Sequence, residues 1–450
     1  MSTRAGFLNV IERSAGRTIA SVGLIFVALY LCAFTVTGSG RRPINGDAVQ
    51  YYAYLRSIVF DRDLDFTNDY AALYGATETD GNIWQRERTV TGLPPNQMSV
   101  GPAILWAPAY LFVLLLLWIA GATSPSAPAL LLVPGVAGIC YATLGAYLCF
   151  RTAARRFDRH SALWGTLVAW LAGPAIYYSL VSPAYSHTTS MFVLALFVYV
   201  WMSDIGRVSV ARFALLGAIG GLAAIVRWQD AIILVLPALD LLRALRREAR
   251  IVTLATASAA LLASAAVVAW PQLVAWKILY GSYLAMPQGS GFMRWTEPEI
   301  LSVLLSRHHG LWLWTPAMLI ATGGLAVAYR RDRYSTLALG GILAVTIYVN
   351  AAVSDWWAGE AFGARRFVGD TVIFGLGLTA VLDWLGLHRS RVWTRAVAIG
   401  LIVYNGLFLL QYVLFMLGYR DLAPYPATYT QILFDRLWIP YALVREWLGR

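Results

Sequence analysis

Long apolar runs alternate along this chain with five short arginine clusters, and that alternation constrains its fold more than any other feature. The clusters are Arg151, Arg155, Arg156 and Arg159, then Arg207 with Arg212, then the arginines of 243–250, 330–333 and 389–395. The runs between them approach the roughly 20 residues that a helix needs to cross a bilayer. A soluble domain cannot bury so much apolar sequence, with 59% of 450 residues hydrophobic, 13% charged and a mean hydropathy of +0.61. Lys and Arg number 35 against 24 acids, and the excess sits in the clusters. They therefore read as cytoplasmic turns under the positive-inside rule, and nothing in them suggests nucleic acid. The three cysteines, Cys32, Cys140 and Cys149, all fall in apolar runs, which argues against a disulfide framework or a thiolate metal site.

Read as helices, the runs place spans near 18–38, 128–150, 161–180, 188–203, 211–227, 229–244, 252–275, 311–329, 335–353, 370–386 and 395–417. The expected fold is an all-α polytopic membrane protein with about eleven transmembrane helices, forming one domain over 1–450. Arg4, Arg13 and Arg17 precede the first run, and no A-x-A-like cleavage site follows it, so it reads as an uncleaved anchor. If the run 102–121 crossed the membrane, all five clusters would face outward. Making it re-entrant or surface-lying returns them to the cytoplasmic side with the N-terminus. The expected location is a bacterial cytoplasmic membrane. A long first loop (39–127), short segments at 181–187, 276–310 and 354–369, and the tail 418–450 then lie on the external face. Trp438 and Trp447 suit that tail to a helix lying on the surface.

The first loop opens on Gly46-Asp47. At helical spacing Asp47, Gln50, Tyr54, Ser57 and Asp61 share one face, and Ala48, Tyr51, Tyr52, Leu55 and Val59 the other. That pattern describes an amphipathic helix with a carboxylate at its start. Asp47 then serves either as a general base at the membrane boundary or as a helix cap. The acids between Asp61 and Asp69 alternate as in a calcium loop. However, Phe66 and Ala72 stand where such a loop has its glycine and final acid, so pairing with Arg56 and Arg62 is the expectation. The late loop runs Ser354-Asp355-Trp356-Trp357-Ala358-Gly359-Glu360-Ala361-Phe362-Gly363-Ala364-Arg365-Arg366-Phe367. Arginines among glycines and tryptophans suit an anion beside an apolar or sugar surface, and snorkelling to headgroups is the structural alternative. Tyr185-Ser186-His187 and Arg227-Trp228-Gln229-Asp230 lie near helix ends on the same face, where ionisable groups point to function. An Arg227–Asp230 pair closing a hairpin is the sober reading of the second. His308-His309 point in different directions and serve a two-ligand metal site poorly.

This pattern resembles the GT-C superfamily of integral-membrane glycosyltransferases, which includes protein O-mannosyltransferases and aminoarabinose transferases. The residues that carry the resemblance are Gly46-Asp47, the stretch Met98-Ser99-Val100-Gly101-Pro102, and the loop from Trp357 to Arg366. The resemblance implies an inverting transfer from a polyprenyl-phosphate sugar donor to a glycan, lipid or protein acceptor, among membrane lipids at the external face. It implies Asp47 as the catalytic acid of the first loop, and Arg365 with Arg366, and less directly Arg227, as holders of the donor phosphate. His187, Tyr51, Gln50, Trp357 and Glu360 would line the substrate pocket. Ala48 follows Asp47 where many relatives carry a second acid, so a two-acid scheme must draw on Asp61, Asp230 or Glu360. No cofactor or metal ligand is predicted, although a divalent ion is compatible with the chemistry. The rival classes are a transporter or flippase, which should show repeated halves, and a glycan ligase, which should concentrate its key residues in one large late loop. Neither pattern is visible.

Overall fold

The structure is a computed structural model describing residues 2–35, 42–75, 83–359 and 361–448. Glu360, one of the expected pocket residues, lies outside them. In chain order the helices begin with α1 (Ser2–Thr35), α2 (Asp47–Arg56), α3 (Thr67–Tyr74), α4 (Ile83–Arg86), α5 (Gly101–Ile119) and α6 (Pro128–Ala153). Next come α7 (Arg159–Leu171), α8 (Ala175–Leu180), α9 (Ser186–Ser203), α10 (Val210–Val226), α11 (Val235–Leu245) and α12 (Ile251–Tyr280). Then follow α13 (Ile300–Leu305), α14 (Leu311–Trp314), α15 (Pro316–Tyr329), α16 (Arg333–Ala351), α17 (Thr371–His388) and α18 (Arg391–Met416). The tail forms α19 (Tyr429–Leu433) and α20 (Ile439–Leu448). The chain is an all-helical, multi-pass membrane protein.

Among the described residues, eight helices are long and apolar enough to cross a membrane. Seven match expected spans, and the eighth is α5. Of the other four expected spans, 211–227 forms a helix of its expected length, and three are shortened or broken. Gly173-Pro174 separates α7 from α8, and Thr315-Pro316 separates α14 from α15. In both breaks a proline lacks the N–H that a continuing helix needs and restricts the residue before it. The run 211–227 yields the 17-residue α10. The run 229–244 opens with a 3-10 turn, Trp228–Leu234, before the short α11. The run 102–121, expected to be re-entrant or surface-lying, forms one helix, α5, which is 19 residues long and continuous, with Pro102 in its first turn and Pro108 within.

Contacts gather the chain into two compact units. One comprises Met1–Ser21, Leu144–Tyr178 and Met293–Arg450; the other comprises Val22–Thr143 and Ser179–Phe292. They are called here the Arg365 unit and the Asp47 unit.

In the Arg365 unit the helices meet backbone to backbone. A Cβ on Gly324 of α15 would strike the carbonyl of Gly377 in α17, and one on Gly377 would strike the carbonyl of Ala321. A Cβ on Gly165 of α7 would fall 2.6 Å from the backbone nitrogen of Thr379. Small residues thus bring helices close where lipid offers no hydrophobic drive for association. The Asp47 unit uses the same device. Gly217 and Gly221, four apart on α10, lie against the carbonyls of Leu261 and Ala265 in α12.

Three arginine clusters meet at one end of the Arg365 unit. Arg156 pairs with Asp332 at 2.9 Å, Arg331 with Asp383 at 2.7 Å, and Arg391 with Asp158 at 3.3 Å. Arg331 also donates to the carbonyl of Arg156, and the Asp158 amide donates to Asp383. Burial pushes the Asp332 carboxyl up, yet the hydrogen bonds from Arg156 and Ser335 hold it below its ordinary value. This network shows, without any count of crossings, that the three clusters share one side of their unit. In the Asp47 unit, Arg212 of the second cluster pairs at 3.1 Å with Asp240, which also accepts from the Trp201 indole.

Candidate functional site

In each unit the sequence-selected residues occupy the helix ends opposite the arginine clusters. The helix α16 leaves the Arg330–Arg333 turn and ends before the Trp/Gly/Arg loop, and α17 returns from that loop to the last cluster. Nineteen residues at 1.5 Å each put roughly 28 Å between the ends of α16. In the Asp47 unit, α9 begins at Ser186-His187 and ends before Arg207, while α10 begins beside Arg212 and ends at Arg227. Chain connectivity therefore separates the candidates from the charge clusters within each unit.

Asp47 is the first residue of α2, and the cap position belongs to Gly46, which makes no side-chain cap. The cap reading of Asp47 therefore gives way to a half-buried first-turn carboxylate, where the helix dipole favours negative charge. Gly46 has φ +53° and ψ −134°, a backbone conformation that glycine adopts readily. An added Cβ there would also strike the Tyr185 hydroxyl. The polar face expected for α2 is not wet: Ala48 through Leu55 are all buried. Gln50 explains part of this. Its Oε1 accepts the Gln97 amide at 2.8 Å, and its carbonyl accepts from Asn96 Nδ2 at 2.9 Å. Tyr280 donates to the Asn96 carbonyl, and Gln272 accepts the Val100 amide, both from α12. Gln50 thus helps hold the segment leading into α5.

The start of α9 gathers the remaining candidates of this unit. Tyr51 donates to Ser186 Oγ at 2.8 Å. The Tyr185 and His187 rings stack with centroids 6.1 Å apart. The Arg227 guanidinium is hydrogen-bonded to His187 Nδ1. A guanidinium only donates, so Nδ1 carries no proton and a neutral His187 holds its proton on Nε2. Asp230 is buried and accepts the Ser190 hydroxyl at 2.6 Å. Arg227 and Asp230 thus each reach α9. In the acid-rich segment, Asp63 accepts the Ser57 hydroxyl and the Asp65 amide, and Asp65 accepts the Thr67 amide. Arg56 pairs with Asp69 at 2.5 Å and Asp61 at 3.5 Å. These carboxylates shape turns and ion pairs, as the residues around them suggest.

In the Arg365 unit, Arg366 closes the late loop on itself, donating to the Asp355 carboxylate at 2.7 Å and the Asp355 carbonyl at 3.0 Å. Arg365 lines a small cavity with His308, His309, Asn350, Trp356 and Trp357. It encloses about 10 Å³, room for one water-sized group. Trp357 is 42% exposed. His309, set aside on sequence grounds, is buried, and its Nδ1 lies 2.8 Å from the Trp357 carbonyl oxygen. Asp355, His309 and Tyr425 were not selected from sequence. Their partners lie 11 to 116 residues away, beyond any local pattern.

No family model matches the chain, and no curated protein does. Solved structures do. The chain is similar to the archaeal oligosaccharyltransferase AglB from Archaeoglobus fulgidus, solved with an inhibitory peptide and a dolichol-phosphate. The TM-score is 0.52 at 16% identity, covering 93% of this chain and 56% of AglB. It is also similar to apo ArnT from Cupriavidus metallidurans, with a TM-score of 0.47 at 16% identity, covering 95% of this chain and 78% of ArnT. The chain thus spans a little over half the length of AglB and shares its fold.

Proposed function

We propose that this chain is an inverting glycosyltransferase that moves a sugar from a polyprenyl-phosphate donor to a cell-envelope acceptor, be it a glycan, a lipid or a protein. The reaction would take place at the external face of a bacterial cytoplasmic membrane. The observation that carries this reading is the fold shared with AglB, itself solved with a dolichol-phosphate. The separation of the candidate residues from the arginine clusters along α9, α10, α16 and α17 supports it.

The chemistry follows from charge flow. The acceptor oxygen attacks the anomeric carbon as the bond from that carbon to the phosphate oxygen breaks, which inverts the centre. Asp47 takes the acceptor proton. The sugar passes through an oxocarbenium-like state while negative charge collects on the departing polyprenyl phosphate. Arg365 stabilises that phosphate. Arg366, engaged with Asp355, shapes the loop that presents it. Arg227, His187 and Tyr51 form a preorganised polar cluster for the donor, and Trp357 packs against the sugar or lipid.

The test is a pair of variants assayed with a polyprenyl-phosphate sugar in detergent or liposomes. Asp47→Asn should abolish transfer while stability and polyprenyl-phosphate binding stay at wild-type values. Arg365→Ala should weaken that binding about tenfold or more, as expected for loss of a charge-assisted contact. Wild-type transfer by Asp47→Asn would reduce Asp47 to a helix-start charge, and unchanged binding by Arg365→Ala would remove Arg365 from the phosphate site.

A further inference from the structure

We propose that His309 is a positioning residue that links the C-terminal tail to the Trp/Gly/Arg loop through one defined imidazole tautomer. The Trp357 carbonyl can only accept, so His309 Nδ1 must carry the proton across their 2.8 Å contact. In a neutral ring Nε2 is then an acceptor, and the Tyr425 hydroxyl stands 3.3 Å from it. Tyr425 donates to Nε2, which keeps the proton on Nδ1 and aimed at the loop. The tail thereby selects the tautomer that holds Trp357.

Two further observations support this role. Burial lowers the His309 pKa to about 4; its bond to Trp357 opposes that shift, and His308 and Arg365 add to it, so the ring is neutral at ordinary pH. The backbone is also committed. His309 has φ +64°, and across the hydrogen bond Ala358 and Gly359 have φ +61° and +66°. Left-handed conformations at non-glycine residues cost energy and persist only where surrounding contacts impose them. Here they lie on both sides of one hydrogen bond, in the loop that carries Arg365. The tail is itself anchored in the same unit. Buried Arg436 lies 3.8 Å from the Phe408 ring centroid and 4.3 Å from that of Tyr404, and donates to the Trp314 carbonyl at 3.4 Å. That carbonyl ends α14, just before the proline break.

This inference rests on the donor-phosphate reading of Arg365, so the experiment has one arm that does not. The first arm is hydrogen–deuterium exchange of residues 354–367 in the ligand-free protein. The second is binding of undecaprenyl phosphate in detergent. His309→Gly relieves the left-handed backbone but removes the donor. It should speed exchange of 354–367 by about three- to tenfold and weaken binding by a similar factor, the scale of one hydrogen bond. Exchange in α16 and α17 should stay unchanged, which separates loop release from misfolding. His309→Asn keeps an N–H near the Nδ1 position and tolerates the left-handed backbone, so it should remain within about twofold of wild type. Tyr425→Phe should fall between the two. Wild-type exchange in His309→Gly, or equal loss in His309→Asn, overturns the proposal. If the wild-type protein itself fails to bind undecaprenyl phosphate, the donor reading falls, and the exchange arm still decides the role of His309.

Discussion

Gly46→Ala tests how the helix carrying Asp47 is set in place. Two independent costs follow from the geometry. The backbone at φ +53° and ψ −134° is one that alanine adopts only under strain, worth about 1–3 kcal/mol. The new methyl also meets the Tyr185 hydroxyl, and such overpacking costs about 1–3 kcal/mol. The single substitution should therefore destabilise the protein by roughly 2–6 kcal/mol. A double-mutant cycle separates the two costs. Tyr185→Phe removes the hydroxyl that the methyl strikes and leaves only the ring Cζ at 3.3 Å, so Gly46→Ala in that background should retain the backbone strain and little of the clash. The coupling energy should be about 1–3 kcal/mol in favour of the double variant. Unfolding in mixed micelles of dodecylmaltoside and SDS, followed by circular dichroism, measures all four proteins. A coupling energy near zero would show that Tyr185 does not abut residue 46, and a neutral Gly46→Ala would refute the account of the turn. If transfer activity is also measured, each 1.4 kcal/mol by which the variant favours a relaxed turn should cost tenfold in rate.

His309 makes stability depend on pH in a defined window. Its folded pKa of about 4 lies below the ordinary 6.5, so the fold favours the neutral ring. That contribution is complete above pH 6.5 and is lost as the pH falls towards 4, by at most about 3 kcal/mol. His309→Asn should flatten this segment of the stability–pH curve, and a wild-type slope in the variant would exclude His309 as its source. Gly377→Ala drives a methyl into the Ala321 carbonyl and should destabilise the α15–α17 contact by about 1–3 kcal/mol. A thermal midpoint equal to wild type would show that the helices are not in backbone contact there.

How much of this was legible beforehand can be judged residue by residue. Apolar length announced seven of the eight long helices, because burial in lipid is a property of composition. Breaks at Gly173-Pro174 and Thr315-Pro316 were also written locally, yet the apolar runs on either side masked them. The start of α2 followed from Gly46-Asp47. Its burial did not, because the side chains that cover it come from α5 and from the segment before that helix. Arg365 and Arg366 stood out together, but the engagement of Arg366 with Asp355, eleven residues upstream, left no local pattern. His309 looked unpromising because its partners are a backbone carbonyl and a tail tyrosine, neither of which leaves a spacing signature.

The glycine seams have a mechanical consequence. Where α15 meets α17, and α7 meets α17, no layer of long side chains separates the helices. Packed side chains can switch rotamers and let one helix slide past another, but touching backbones cannot. Shear along these seams would need the helices to part first, which lipid does not reward. These two seams thus resist sliding. Movement within that unit is left to segments away from these seams, the 354–367 loop among them.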